Sequence, residues 1–250
     1  MRYVLFKESS FYLLKIFVLV SLILVFAMFT RQIARQVRFL DVKSIDVLGN
    51  NIVDTSTIII LSGITRDKNI IKIDVEKSKR MIETHPFIRA VGLTLKDLDF
   101  TITVDERQPF VFLSYNNALL VLDSDGVILQ KKSMLTDYDL PVLTGVDIEE
   151  IPEEGDRLND KGVERGLYWF KAIPLELWSQ ISEINIENPA KIIIYTLDGL
   201  KIFLTKGSGI SEKFEILYNK LLELKEKKYS IEYIDLRSSN GDIIIKELSN

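Results

Sequence analysis

FIRAVGLTLKDLDFTITVDERQPF, residues 87–110, is the stretch whose reading decides the fold. FIRAVGLTLK reads as a strand, Asp97-Leu98-Asp99 as a tight turn, and FTITVDERQPF as the returning strand, with Ile102 and Val104 alternating against Thr101 and Thr103. Immediately upstream, Asp74 caps a helix over Val75–Thr84 whose Val75, Ser78, Met81 and Ile82 share a face, and Pro86 stops it. Further back, Asp54 or Thr55 caps a short helix ending at Ser62, with Ile58, Ile59 and Leu61 apolar and Gly63 as its C-cap. FLDVKSIDV, residues 39–47, has the period of a strand and runs into a turn at Gly49-Asn50. Residues 39–107 therefore predict β-α-α-β-β, an α+β unit with two helices on one face of a three-stranded sheet.

Before that unit stands FYLLKIFVLVSLILVFAMFT, residues 11–30. Lys15 is its one charge, and from Ile16 onward Ser21 and Thr30 are its only polar side chains. Twenty such residues rise about 30 Å as a helix, the thickness of a bilayer's hydrocarbon core. The run offers no small-x-small cleavage site before Arg31, so a permanent anchor fits better than a cleaved signal. The expected division is a tail at 1–10, a span at 11–30, a juxtamembrane helix continuing over 31–38, and soluble parts at 39–107 and 108–250. Arg2, Lys7 and Lys15 on one side nearly balance Arg31, Arg35 and Arg38 on the other, so flanking charge leaves the orientation open.

Charge and residue inventory exclude several classes of function. Residues 1–38 hold six Lys or Arg and one acid, so of the chain's net charge of −4 the remainder carries −9, which a nucleic-acid backbone would repel. There is no cysteine for disulfide or thiolate chemistry, and the single histidine, His85, is followed by Pro86, where a polar turn residue is the ordinary reading. Gly207-Ser208-Gly209 lacks both the third glycine of a dinucleotide fingerprint and the Gly-Lys-Thr of a phosphate loop, and reads as the lead-in to a helix. Asp125-Gly126 within LLVLDSDGVIL, residues 119–129, makes a hairpin turn and not a calcium loop, since the alternating third ligand and distal glutamate are missing. The acidic run Asp147, Glu149, Glu150, Glu153, Glu154 and Asp156 reads as a solvated loop. Nothing selects a catalytic pair, a metal site or a cofactor site, and the expectation is a non-enzyme with no small-molecule substrate.

The rest of the chain supplies a second, mostly antiparallel β domain with flanking helices. Helical spacing at Val163, Leu167, Tyr168 and Phe170 covers 160–172 until Pro174, and Ile181, Ile184 and Ile186 suggest a strand before Asn188-Pro189. KIIIYTLDGLKIFLT, residues 191–205, is a hairpin turning at Asp198-Gly199. Phe214, Leu217, Leu221 and Leu224 line one face of a helix over 211–227, and SIEYIDL (230–236) and DIII (242–245) are the last strands.

VKSIDVLGN at 42–50, LSGI at 61–64, HPFIRAV at 85–91 and VDERQP at 104–109, in register behind one apolar span, resemble the successive signatures of the POTRA domain of the bacterial cell-division family FtsQ/DivIB. LPVLTG at 140–145 and YIDLR at 233–237 are similar to the family's later motifs, and the short ends look more like its Gram-negative branch. The resemblance implies a single-pass inner-membrane protein, its N-terminus cytoplasmic and its body periplasmic at the division septum. It further implies a scaffold whose C-terminal β edge binds an FtsB-type partner, itself bound to FtsL, and so helps recruit and regulate the septal peptidoglycan synthase. By position the contact region would be Arg237, Ser238, Ser239, Asn240 and Gly241 with Ile243, Ile244 and Ile245. Ser238 stands where some members carry a tyrosine, which removes an expected aromatic anchor. The competing readings are a POTRA chaperone module of outer-membrane assembly, which would continue into barrel strands, and a tethered wall hydrolase, which would show activity on purified peptidoglycan.

Overall fold

The computed structural model describes residues 2–34, 40–116, 118–132, 138–188, 190–205, 210–227, 231–238 and 243–248. The chain divides into two compact units, Met1–Thr84 with Ile88–Glu106, and His85–Phe87 with Arg107–Asn250.

In the first unit, helix α1 runs unbroken from Arg2 to Ala34. The residues expected to form a separate tail are helical, because no proline or glycine interrupts the chain there. The part apolar enough to cross a membrane is Leu14–Ile33, three residues later than the 11–30 read from sequence, and none of it is buried against protein. Its two hydroxyls are satisfied within the helix: Ser21 Oγ donates to Val18 O at 2.9 Å, and Thr30 Oγ1 lies 3.0 Å from both Phe26 O and Ala27 O. Of the juxtamembrane helix expected over 31–38, residues 35–38 lie outside the described residues.

Strand β1 (Ser44–Leu48), helices α2 (Thr55–Ser62) and α3 (Val75–Glu83), and strands β2 (Ile88–Lys96) and β3 (Asp99–Glu106) follow in the expected β-α-α-β-β order. Strand β3 is central, parallel to β1 and antiparallel to β2. The β2–β3 connection is a two-residue turn with positive φ at Asp97 (51°) and Leu98 (77°), and Asp99 already pairs with Lys96. β1 begins at Ser44 and not near Phe39, because Val42 bonds instead to the loop before α3. Asp54 occupies the N-cap of α2 without a side-chain cap bond, whereas Asp74 caps α3 by accepting from Lys77 N at 3.0 Å. Met81 is 43% exposed, off the buried stripe of Ser78 and Ile82 on which sequence had placed it. Gly49 is obligatory: at φ 85° a Cβ would lie 2.3 Å from Val104 O. The Glu106 carboxylate holds the following turn by accepting from Asn51, Ile52 and Val53 N at 2.8–2.9 Å.

The second unit is one nine-stranded sheet. Its elements are β4 (Val111–Tyr115), β5 (Ala118–Leu122), β6 (Ile128–Lys132), β7 (Val142–Thr144), α4 (Lys161–Ala172), α5 (Leu175–Trp178), β8 (Ile181–Asn188), β9 (Lys191–Thr196), β10 (Lys201–Leu204), α6 (Ile210–Lys227), β11 (Ile231–Asp235) and β12 (Ile244–Glu247). The strand order is β12-β11-β10-β9-β8-β7-β4-β5-β6, with parallel pairing only at β4/β7, β7/β8 and β10/β11. Registered neighbours form one file across the sheet: Leu120, Leu113, Leu143, Ile184, Ile194, Ile202, Ile234 and Ile245. That file packs with Val163, Leu167 and Phe170 of α4 and Phe214, Leu217 and Leu224 of α6. Each fully buried side chain of this size contributes about 1.5–3 kcal/mol.

Four sequence readings shift here. β4, whose Val111, Phe112 and Leu113 are all buried, was not singled out, since a continuous apolar run lacks alternation. Tyr168 is 53% exposed while Trp169 is buried, because position 168 lies about 140° around the helix from Val163. Ile181 and Ile184 are both buried despite their odd spacing, because a register shift between Ile181 and Glu183 inserts a bulge. The last strand is Ile244–Glu247, two residues beyond the expected end at Ile245, and Asp242 lies outside the described residues; Lys246 pairs opposite Tyr233 and reaches Glu232 at 2.7 Å. The 207–209 glycine stretch, Pro189 and Ser230 lie outside the described residues.

Candidate functional site

The two outer strands of the nine-stranded sheet are treated differently. β6 pairs with β5 on one side, and its other side is covered by the acidic segment read as a solvated loop. Gly155 N donates to Ile128 O at 2.8 Å, Ile128 N to Asp156 O at 2.9 Å, and Lys131 N to a Glu154 carboxylate oxygen at 2.7 Å. Lys131 Nζ also meets Glu153 at 3.0 Å. The β5–β6 turn is fastened by Asp123, fully buried, whose Oδ1 accepts from Asp125 N and Val127 N at 2.8 Å and whose Oδ2 accepts from Arg107 Nη1 at 2.8 Å.

β12 at the opposite end pairs with β11 alone among the described residues. An edge strand of this kind presents a row of backbone N–H and C=O groups to a partner's extended segment. Ile245 and Ile243 are partly buried on the helix-covered core, while Ile244 is 56% exposed on the opposite face. That face carries a cluster the sequence reading did not single out. The Phe203 and Tyr233 rings lie 5.3 Å apart, with Lys191 Nζ 4.5 Å and Arg237 Cζ 5.4 Å from the centre of Phe203. Its signal was present in the strand alternation, which sends Ile193, Phe203 and Tyr233 away from the core.

Arg237 lies beside this edge, but its guanidinium is already engaged. Nε donates to Asp235 Oδ1 at 2.9 Å and Nη2 to Oδ2 at 2.6 Å, a fork that holds the Asp235 carboxyl below its ordinary value of 3.8 and raises the Arg237 guanidinium. Hydrogen bonding to Glu232 raises Lys246 likewise. Ser238 is half-buried, and Ser239, Asn240 and Gly241 lie outside the described residues. Lys213 of α6 donates to Leu236 O at 2.9 Å, tying the end of β11 to the helix layer.

No group of three His, Cys, Asp or Glu able to hold a metal is found among the described residues. His85 serves its own turn, Nδ1 accepting from Phe87 N at 3.3 Å. An apolar cleft of about 510 Å³ lies between Phe110, Phe170, Ile173 and Trp178, with Ser124 and Lys171 at its rim. Lys171 leans toward Asp125 at 4.0 Å. A small-molecule site asks for a convergent polar set, which this lining does not supply.

Comparison with known proteins adds the decisive observation. Residues 40–107 match the family model described as POTRA domain, FtsQ-type, and residues 113–237 match that of cell division protein FtsQ/DivIB, C-terminal. The chain belongs to the FtsQ/DivIB cell-division family. It is 26% identical to cell division protein DivIB of Clostridium acetobutylicum over 208 residues, 79% of this chain and 77% of that protein. It is 24% identical to cell division protein FtsQ of Syntrophotalea carbinolica over 228 residues, 90% of this chain and 80% of the relative. The solved extracytoplasmic domain of DivIB from Geobacillus stearothermophilus aligns with 50% of this chain and 97% of its own at 16% identity and a TM-score of 0.31. Membership of the FtsQ/DivIB family carries a scaffold role in cell division. β12 lies beyond the residues matched by the C-terminal family model.

Proposed function

We propose that this FtsQ/DivIB-family protein is a single-pass inner-membrane scaffold of the division septum. Its residues 1–10 are cytoplasmic, residues 11–30 within α1 are the span, residues 31–38 are juxtamembrane, and the POTRA domain (39–107) and β domain (108–250) are periplasmic. In this reading β12 receives an extended segment of an FtsB/FtsL-type partner as a tenth strand, and the complex helps assemble and regulate septal peptidoglycan synthesis. The contact set is Arg237, Ser238, Ser239, Asn240 and Gly241 with Ile243, Ile244 and Ile245. The observation that supports it is the asymmetry of the sheet: one outer strand is covered by its own chain, and the other pairs on one side only among the described residues. For Arg237 the reading has a specific requirement. A partner carboxylate must share or displace Asp235, which now takes both arms of the fork.

Proline scanning tests it. In an antiparallel strand alternate residues turn their N–H outward, so one of the consecutive positions Ile244 and Ile245 faces the partner and the other faces β11. Ile244→Pro and Ile245→Pro, made separately in the full chain, are expected to differ. One keeps its thermal transition and loses co-purification with the FtsB/FtsL-type pair by roughly tenfold or more, and the other loosens the β11–β12 pairing itself. Undiminished partner capture by both variants would remove β12 as the docking strand.

A further inference from the structure

Residues 63–73, GITRDKNIIKI, link α2 to α3, and chain connectivity keeps them near the end of α1. Val42 N donates to Lys68 O at 3.1 Å, Asp67 N donates to Val42 O at 3.2 Å, and Asp41 forms an isolated antiparallel bridge with Asn69. The link is thus bonded to the first described residues after α1. Only residues 34–40 separate Asp41 from Ile33, the end of the apolar window. Those eight steps span at most about 28 Å fully extended.

The charge of this link opposes that of the body around it. Arg66, Lys68 and Lys72 against Asp67 leave a positive excess within a body that is strongly acidic. Arg66 and Lys72 are exposed, and neither meets a carboxylate among the described residues, while Lys68 Nζ is turned onto Gly63 O at 2.7 Å. Asn69 Oδ1 accepts from Ile71 N at 3.0 Å and sets a single 3-10 turn over Ile70–Lys72. That turn packs Ile70 against the core of Val42, Ile64 and Phe100 and leaves Ile71, 38% exposed, beside the exposed Lys72. Basic ends flanking an outward aliphatic side chain suit the interface of an anionic bilayer: the ammonium and guanidinium groups meet phosphates, and the isoleucine meets the headgroup–acyl boundary.

We propose that the 63–73 link rests on anionic phospholipid headgroups of the membrane that α1 enters, holding the POTRA domain to the surface by a second, reversible contact. The proposal relies on α1 being a span. An acyl boundary alone would not select charge, whereas this contact depends on lipid charge and on Arg66 and Lys72 together.

Because the chain has no cysteine, Thr65→Cys gives a single labelling site on the exposed start of the link. The full chain carrying a fluorophore there is placed in nanodiscs containing a headgroup spin-label quencher. One set holds about 30% phosphatidylglycerol, by which the surface potential is made negative, and the other only phosphatidylcholine. The expected result is strong quenching in the anionic discs, weak quenching in the neutral ones, and loss of the difference in Arg66→Glu/Lys72→Glu. Each basic side chain contributes about fivefold to the docking equilibrium, so loss of the two alone lowers it on the order of 25-fold, and the reversal to Glu lowers it further. Equal quenching in both discs, quenching that survives the double reversal, or no quenching overturns the proposal while α1 remains a span. A chain that fails to enter the discs at all removes the reading of α1, and this contact with it.

Discussion

The two edges of the nine-stranded sheet solve the same problem in opposite ways. β6 is covered: the segment 153–158 bonds Ile128 N, Ile128 O and Lys131 N, and a buried Asp123–Arg107 pair fastens the turn that leads into it. β12 pairs with β11 alone among the described residues, and of the ion pairs beside it Glu232–Lys246 is partly exposed while the Asp235 carboxylate, 13% exposed, is held in the fork of Arg237. The contrast teaches that one sheet can treat its two rims differently. Charge buried at the covered end fastens the fold, and in the proposed function the other rim is the one that serves association.

The largest expected effect comes from breaking the closed end. Asp123→Ala strands Arg107 beside a buried site and frees two backbone donors, costing about 3–5 kcal/mol. Calorimetry on the full chain should show the main transition falling by on the order of 10 °C. A loss within a degree or two would mean that the turn does not depend on this carboxylate.

Next is the cover itself. Gly155 has φ 94° and its N–H donates to Ile128 O, so Gly155→Pro forbids the conformation and deletes the bond. The expected cost is about 1–3 kcal/mol, together with concentration-dependent self-association in sedimentation, as β6 becomes a second open edge. A monomeric variant would show that the cover is not what keeps β6 from pairing.

The smallest effect belongs to the open end. Asp235→Asn should change stability at neutral pH by no more than about 1 kcal/mol, since its partner Arg237 is 40% exposed. The sign with pH follows from the depressed carboxyl. The folded chain binds this proton less readily than the unfolded one, so the contribution is present above the ordinary value of 3.8 and is lost as pH falls through the lower folded value. The wild-type and Asp235→Asn melting curves should therefore converge under acid; a gap that widens there would reverse the assignment.

Much of the fold was legible because local chemistry repeats with a period. The turns at Asp97-Leu98, Asp125-Gly126 and Asp198-Gly199, the Asp74 cap, and the Phe214–Leu224 stripe each carry their instruction within a few residues. The candidate edge was legible only in part. DIII announced a strand, but the strand runs on through Lys246 and Glu247, because an edge tolerates charges that a central strand would not. The engagement of Arg237 by Asp235 and the ring cluster at Phe203 needed side chains from three strands to be brought together.

By itself the sequence determined most of the strands and helices and the apolar side of many of them, and that one helix is long and apolar enough to cross a membrane, since hydropathy and period two or 3.6 are written locally. Only the tertiary structure decided which strands beyond the hairpins are neighbours. The parallel joins of β4 to β7, β7 to β8 and β10 to β11 pair segments distant in the chain, and they place β12 at one rim and β6 at the other. The backbone groups that make those joins are the same in every residue, so no local pattern names the partner; packing of the shared file of side chains under α4 and α6 does.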